Sequence, residues 1–187
     1  TYDTFICPSE NTQRTVIEAG IDPSHTVVMA YGIDTQQFQP IANNQSLKQQ
    51  LGIALDRQVL LLLSRISPSK KMDIMPLLRV LPQLINQYPN LLLYVVGTVF
   101  DDDYVEQLKQ FCKTTGIDTH VMWDHQPSHD HIQQYFQCSD MVLSLPDNCS
   151  ETFGLAVIEA MACQKPVVIA DYAGYKGHIT DGVEGFY

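Results

Sequence analysis

Five apolar residues, Val59-Leu60-Leu61-Leu62-Leu63, run without a break into Ser64-Arg65-Ile66-Ser67-Pro68-Ser69-Lys70-Lys71-Met72-Asp73, a loop with three basic side chains in seven positions. An apolar run that does not alternate suits a strand buried on both faces, the environment of a parallel sheet. Segments of the same character recur at 91–96, 120–123, 141–145 and 167–170. Helical patterns lie between them. Residues 73–88 place Leu77, Leu78, Leu81, Leu84 and Ile85 at helical spacing, and further helices are predicted over 103–115 and 129–138. Asp101, Asp102 and Asp103 suit the start of the second of these, and Ser128 suits the N-cap of the third. This alternation predicts a doubly wound α/β domain with a mostly parallel, Rossmann-like sheet and a ligand site at the carboxyl ends of the strands. The basic loop after Leu63 stands at such an end.

Composition narrows the partners. The chain has 187 residues, enough for one well-buried domain and short for two. A formal net charge of −10 argues against nucleic acid or an anionic membrane as the partner of this segment. No apolar run approaches the roughly 20 residues of a membrane span. No signal peptide is expected from the first residues, which lack a basic n-region. Five scattered cysteines without a C-x-x-C read as reduced thiols, hence a cytoplasmic protein.

A second stretch, Ser150-Glu151-Thr152-Phe153-Gly154-Leu155-Ala156-Val157-Ile158-Glu159-Ala160-Met161-Ala162, places two carboxylates eight residues apart around a glycine turn. With a helix starting near Gly154, Glu151 precedes the N-terminus and Glu159 lies two turns inside, about 12 Å further along the axis. The N–H groups of Phe153, Gly154 and Leu155 point out between them, and a helix N-terminus favours anions. Hydroxyl-binding acids on either side of a phosphate site match a nucleotide-sugar, in which sugar, diphosphate and ribose lie in line.

These residues resemble the E-x7-E motif of the retaining glycosyltransferases of group 1, family 4 type, which have the GT-B fold. The likeness continues through Glu159-Ala160-Met161-Ala162-Cys163-Gln164-Lys165-Pro166-Val167-Val168, similar to the family's E-A-M-A-x-G-x-P-V-V, with Gln164 where a glycine usually closes the helix. Residues 64–73 resemble G-R-L-x-P-E-K-G-I-D. Lys70 takes the lysine position and Lys71 replaces the glycine, so either could reach a phosphate. Val95-Val96-Gly97-Thr98 is similar to the strand end I-V-G-x-G, where Gly97 serves close approach to a ligand or simply a turn. Tyr31-Gly32-Ile33-Asp34 through Pro40 resembles the stretch at which the family's first domain hands over to the second. Gly174-Tyr175-Lys176-Gly177-His178 stands in place of G-G-x-x-E, near the donor sugar.

The resemblance implies a division of the chain. Residues 1–40 would be the end of an acceptor domain and the linker. Residues 41–187 would be the donor-binding domain, the C-terminal half of a GT-B fold, truncated at its C-terminus. It also implies roles. Glu151 would bind hydroxyls of the donor sugar and Glu159 the ribose, while Arg65, Lys70 or Lys71, and the N–H groups of residues 153–155 would face the diphosphate. The loop after residue 123, with His125 and Gln126, would meet the base. No cofactor and no metal are expected, the donor being a UDP-, GDP- or ADP-sugar and the acceptor a sugar, lipid or small molecule brought by the missing domain. The full-length enzyme is expected in the cytoplasm, with a peripheral place at the inner membrane face left open. Two other readings stay open: a nucleotide-sugar-binding module inactive alone, and a related GT-B epimerase or phosphorylase. Three histidines, at 125, 129 and 131, straddle or follow a proline in a spacing that does not favour a metal site.

Overall fold

The apolar runs become strands of one sheet. In the computed structural model, which describes residues 3–147, 151–175 and 177–187, six strands pair in parallel: β3 (Gln58–Leu63), β4 (Leu91–Val96), β5 (Val121–Asp124), β6 (Met141–Ser144), β7 (Val167–Ile169) and β8 (Gly185–Phe186). Their order is β5-β4-β3-β6-β7-β8. The chain starts in the middle, runs to one edge, then returns and runs to the other. The direction reverses between β3 and β6, and in such sheets ligands lie outside the carboxyl ends at that point. Ser150 and Lys176 of the stretches quoted above, and Cys149, one of the five cysteines, lie outside the described residues.

Alternation along each strand divides the core between the two faces. On one face Leu62, Leu93, Val95 and Leu143 pack with Leu78 and Leu81 of α3 (Met75–Gln87) and Leu108 and Cys112 of α4 (Asp102–Thr115). On the other, Leu61, Tyr94, Val142 and Ile169 pack with Phe136 of α5 (Ile132–Cys138) and Val157 and Ala160 of α6 (Leu155–Ala162). Leu47 of the short α2 (Gln45–Gln50) completes that layer.

Helix ends follow local chemistry. Asp101 caps α4, its carboxylate accepting from the N–H of Tyr104 at 3.0 Å. Ser128 precedes a single 3-10 turn, His129–His131, and makes no side-chain cap bond. The α-helical part therefore starts at Ile132, later than the sequence pattern suggests. A separate pair of short parallel strands, β1 (Phe5–Cys7) and β2 (Thr26–Val28), flanks α1 (Glu10–Glu18). Ile6 and Val27 remain exposed on it.

The end of α6 shows what the absent glycine requires. The N–H of Gln164 donates to the carbonyl of Met161 at 2.9 Å, and that of Lys165 to Ala160 at 3.0 Å, a Schellman closure. Gln164 takes the left-handed conformation this needs, φ +57°, despite its Cβ. The strain amounts to about 1 kcal/mol. Gln164→Gly should therefore raise stability by about 1 kcal/mol, seen as a rise in Tm of about 2–4 °C in thermal denaturation.

Candidate functional site

The switch point gathers residues from four segments. Leaving β3, the chain enters the loop that carries Arg65, Lys70 and Lys71. Leaving β6 at Ser144, it reaches Glu151 and then α6, whose N-cap is Gly154 at φ +89°. A Cβ on Gly154 would stand 2.1 Å from the ring of Tyr175, so both backbone angle and space demand glycine there. Tyr175, from the turn after β7, is fully buried and fills this corner.

Glu151 is the hub. Its carboxylate pairs with Lys71 Nζ, the two side chains being 10% and 15% exposed. Tyr175 Oη donates to Glu151 Oε2 at 3.0 Å, and the N–H of Phe153 to Oε1 at 3.3 Å. Tyr175 Oη is also hydrogen-bonded to Ser144 Oγ. Burial, and then the charge of Glu151, push the Tyr175 hydroxyl far above its ordinary pKa, so it stays protonated and donates. Of the three N–H groups expected between the acids, that of Phe153 is therefore turned to Glu151. Those of Gly154 and Leu155 have no described partner.

Glu159 is of a different kind. It is half-buried on α6, without an ion pair or hydrogen bond among the described residues, and burial raises its pKa. Arg65 is exposed and reaches the carbonyl of Lys70 at 3.4 Å. Lys70 lies over the ring of Phe100, 4.7 Å from its centroid, so the two lysines diverge. At Gly97, the room a Cβ would need holds the carbonyl oxygen of Ser64, 1.6 Å away. The glycine thus lets the ends of β3 and β4 close on each other.

Further round the sheet, Gln126 N–H donates to Asp124 Oδ1 at 3.1 Å. The His125 ring lies 5.9 Å from Trp123, with both nitrogens buried and without a hydrogen-bond partner among the described residues. Burial, and next the nearby Lys109, hold its pKa below the usual histidine value. No group of three or more His, Cys, Asp or Glu side chains placed to hold a metal occurs among the described residues.

The N-terminal segment reaches this corner. Ser9 Oγ donates to the carbonyl of Thr152 at 2.9 Å, and Tyr31 stands edge-on to Phe153, centroids 5.2 Å apart. His178 Nε2 contacts the Phe153 carbonyl. Between α1 and the sheet ends lies a cleft of about 800 Å³ lined by Arg14, Phe153, Asp171, Tyr172 and His178, among others. Sequence reasoning missed Ser144 and Tyr175. The signals were present: a lone hydroxyl in an apolar strand, and an aromatic residue inside the segment that departs from the family pattern.

Two stability tests follow from this arrangement. Lys71→Met leaves a buried carboxylate unpaired and should cost about 3 kcal/mol in chemical denaturation, most of it recovered in a Lys71→Met, Glu151→Gln double variant. Glu159 works in the opposite sense. Its folded pKa is raised, so the stability present below its ordinary value of 4.5 is lost as pH rises through the folded value. Glu159→Gln should therefore be more stable than wild type at neutral pH, with the difference shrinking below pH 4.5.

Comparisons with known proteins show the family and the fold. The family model described as glycosyl transferases group 1 matches residues 43–187. The D-inositol 3-phosphate glycosyltransferases of Geodermatophilus obscurus and Mycobacterium tuberculosis are each 30% identical to the chain, over 95% and 98% of its length. The chain spans 40% and 37% of those relatives. Among solved structures, Anabaena Alr3699/HepE in complex with UDP superposes with a TM-score of 0.86 at 30% identity, over 98% of this chain and 49% of that one. Its complex with UDP-glucose gives 0.85 at 29%. The chain belongs to the glycosyl transferases group 1 family, and its six-stranded sheet is the C-terminal, Rossmann-like half of a GT-B fold.

Proposed function

We propose that this chain is the donor-binding part of a retaining glycosyltransferase, and that the site at the β3–β6 switch point holds a nucleoside diphosphate sugar, with UDP as the nucleotide. The observation that carries the reading is Glu159. A half-buried carboxylate without a protein partner is costly, and a ribose diol offers it two hydrogen bonds. Solved structures of HepE with UDP and with UDP-glucose, at 29–30% identity, support the choice of ligand.

In this reading Glu159 accepts from the ribose hydroxyls and Glu151 from the donor sugar. Arg65, Lys70, the free donors of Lys71 and the N–H groups of Gly154 and Leu155 face the diphosphate. Charge builds there as the glycosidic bond breaks, so preorganised donors lower the barrier more than they tighten ground-state binding. Side-chain cations and a helix N-terminus supply the positive potential, and the reading calls for no metal. Attack by the acceptor on the same face of the sugar as the departing diphosphate gives retention. The base lies against the backbone of His125 and Gln126.

Residues 1–40 are read as the closing elements of the acceptor domain and the linker. Exposed Ile6 and Val27 fit a two-stranded fragment of a larger sheet, since such a pair is marginal alone. The chain alone would hold donor, and transfer would need the remainder of the enzyme. Cys7, Cys112, Cys138 and Cys163 are free and buried, which fits a cytoplasmic setting, and no helix among the described residues is long and apolar enough to cross a membrane.

Calorimetric titration with UDP, GDP and ADP, with magnesium and with chelator, tests the reading. UDP should bind selectively and equally under both conditions. Arg65→Ala and Glu159→Ala should each weaken it by about tenfold or more. Failure of all three nucleotides to bind the folded chain would sink the proposal.

A further inference from the structure

The hydrogen bonds around Glu151 can be counted against its capacity. A carboxylate offers about four acceptor positions. Lys71 and Tyr175 occupy both on Oε2, and the Phe153 N–H occupies one on Oε1. Among the described residues, one position remains. Tyr175 Oη donates to Glu151, so its hydroxyl oxygen must accept from Ser144, which sits at the carboxyl end of β6 with 8% exposure. The direction of donation is thus Ser144 to Tyr175 to Glu151, and it begins on a rigid strand of the sheet.

Tyr175 is itself fixed. Its ring is 0% exposed and packs on Gly154, where no Cβ can enter. Its hydroxyl is held from two places in the chain, Ser144 at the end of β6 and Glu151 in the segment before α6, and Glu151 is held in turn by Lys71 from the loop after β3. Rotation of the Glu151 side chain would break the bonds to Tyr175, Lys71 and Phe153 together.

We propose that Tyr175 is a positioning residue for donor-sugar recognition: its hydroxyl, backed by Ser144, fixes Glu151 so that a single acceptor position is presented to one hydroxyl of the sugar. Tyr175 touches neither nucleotide nor reacting atoms and acts through Glu151. Specificity follows, because one aimed acceptor rejects a sugar that lacks a hydroxyl at that place or points it elsewhere. The inference rests on the nucleotide-sugar reading above.

The test separates sugar recognition from nucleotide binding. Wild type, Tyr175→Phe and Ser144→Ala are titrated by calorimetry with UDP, UDP-glucose, UDP-galactose and UDP-N-acetylglucosamine, after circular dichroism confirms the fold. In wild type one of the sugars should tighten binding beyond UDP. Tyr175→Phe keeps the ring and should hold the UDP affinity within about twofold, while the extra affinity from the sugar falls by about tenfold. Ser144→Ala should move the same quantity in the same direction by less, and serves alone where Tyr175→Phe does not fold. An unchanged sugar increment in the variants overturns the proposal, as does a parallel loss of UDP affinity, which marks Tyr175 as packing only. Wild type that binds UDP but gains nothing from any sugar also overturns it. Wild type that binds none of the four overturns the nucleotide-sugar reading instead.

Discussion

The buried ion pair between Lys71 and Glu151 holds the site together. It joins the loop leaving β3 to the segment that leads into α6, across the point where the strand order reverses. Removing two charges from water is costly, and the attraction offsets this only when the remaining acceptors are also satisfied. Tyr175 and the Phe153 N–H provide that satisfaction. The pair therefore dictates its surroundings. Tyr175 must be buried beside it, Gly154 must be a glycine to admit the ring, and Ser144 must be a hydroxyl to support the phenol.

The charge balance works within an unfavourable field. The chain carries a formal −10, yet the proposed ligand is an anion. Local arrangement has to overcome the global sign, which is possible because exposed distant charges are screened over about 10 Å while groups at close range are not. Arg65 and Lys70 are exposed and so positioned to meet a phosphate from solvent, whereas Lys71 has one donor committed to Glu151. The two neighbouring lysines differ in environment as much as two unrelated residues would.

Much of this was legible in the sequence, for identifiable reasons. Strands buried on both faces must be apolar throughout, so 59–63 and 91–96 announced a parallel sheet before any topology was known. The spacing of Glu151, Gly154 and Glu159 placed two acids and a helix start correctly, because a helix is a local structure with a fixed rise. What escaped was tertiary. Nothing local tells that Lys71 turns to Glu151 while Lys70 turns to Phe100, since both directions depend on partners about 30 to 80 positions away. Tyr175 and Ser144 escaped for the same reason: their bond spans 31 residues and exists only once the turn after β7 folds over α6. At Gly97 the residue type was legible and its neighbour was not, because the carbonyl that fills its open side belongs to another strand end.

One contact of the N-terminal segment reaches further than its position suggests. The carbonyl of Thr152, which receives the Ser9 hydroxyl, and the N–H of Phe153, which caps Glu151, are two ends of the same peptide unit. A hydrogen bond accepted at the oxygen of an amide draws electron density from its nitrogen and makes the N–H a stronger donor, by about 10–30% in condensed-phase terms. Ser9 is therefore electronically in series with the carboxylate, through a single conjugated group and with no moving part. Sliding α1 away from this corner would weaken the hydrogen bond to Glu151 at the same instant, so the relative placement of two segments of the chain is felt directly at one carboxylate oxygen.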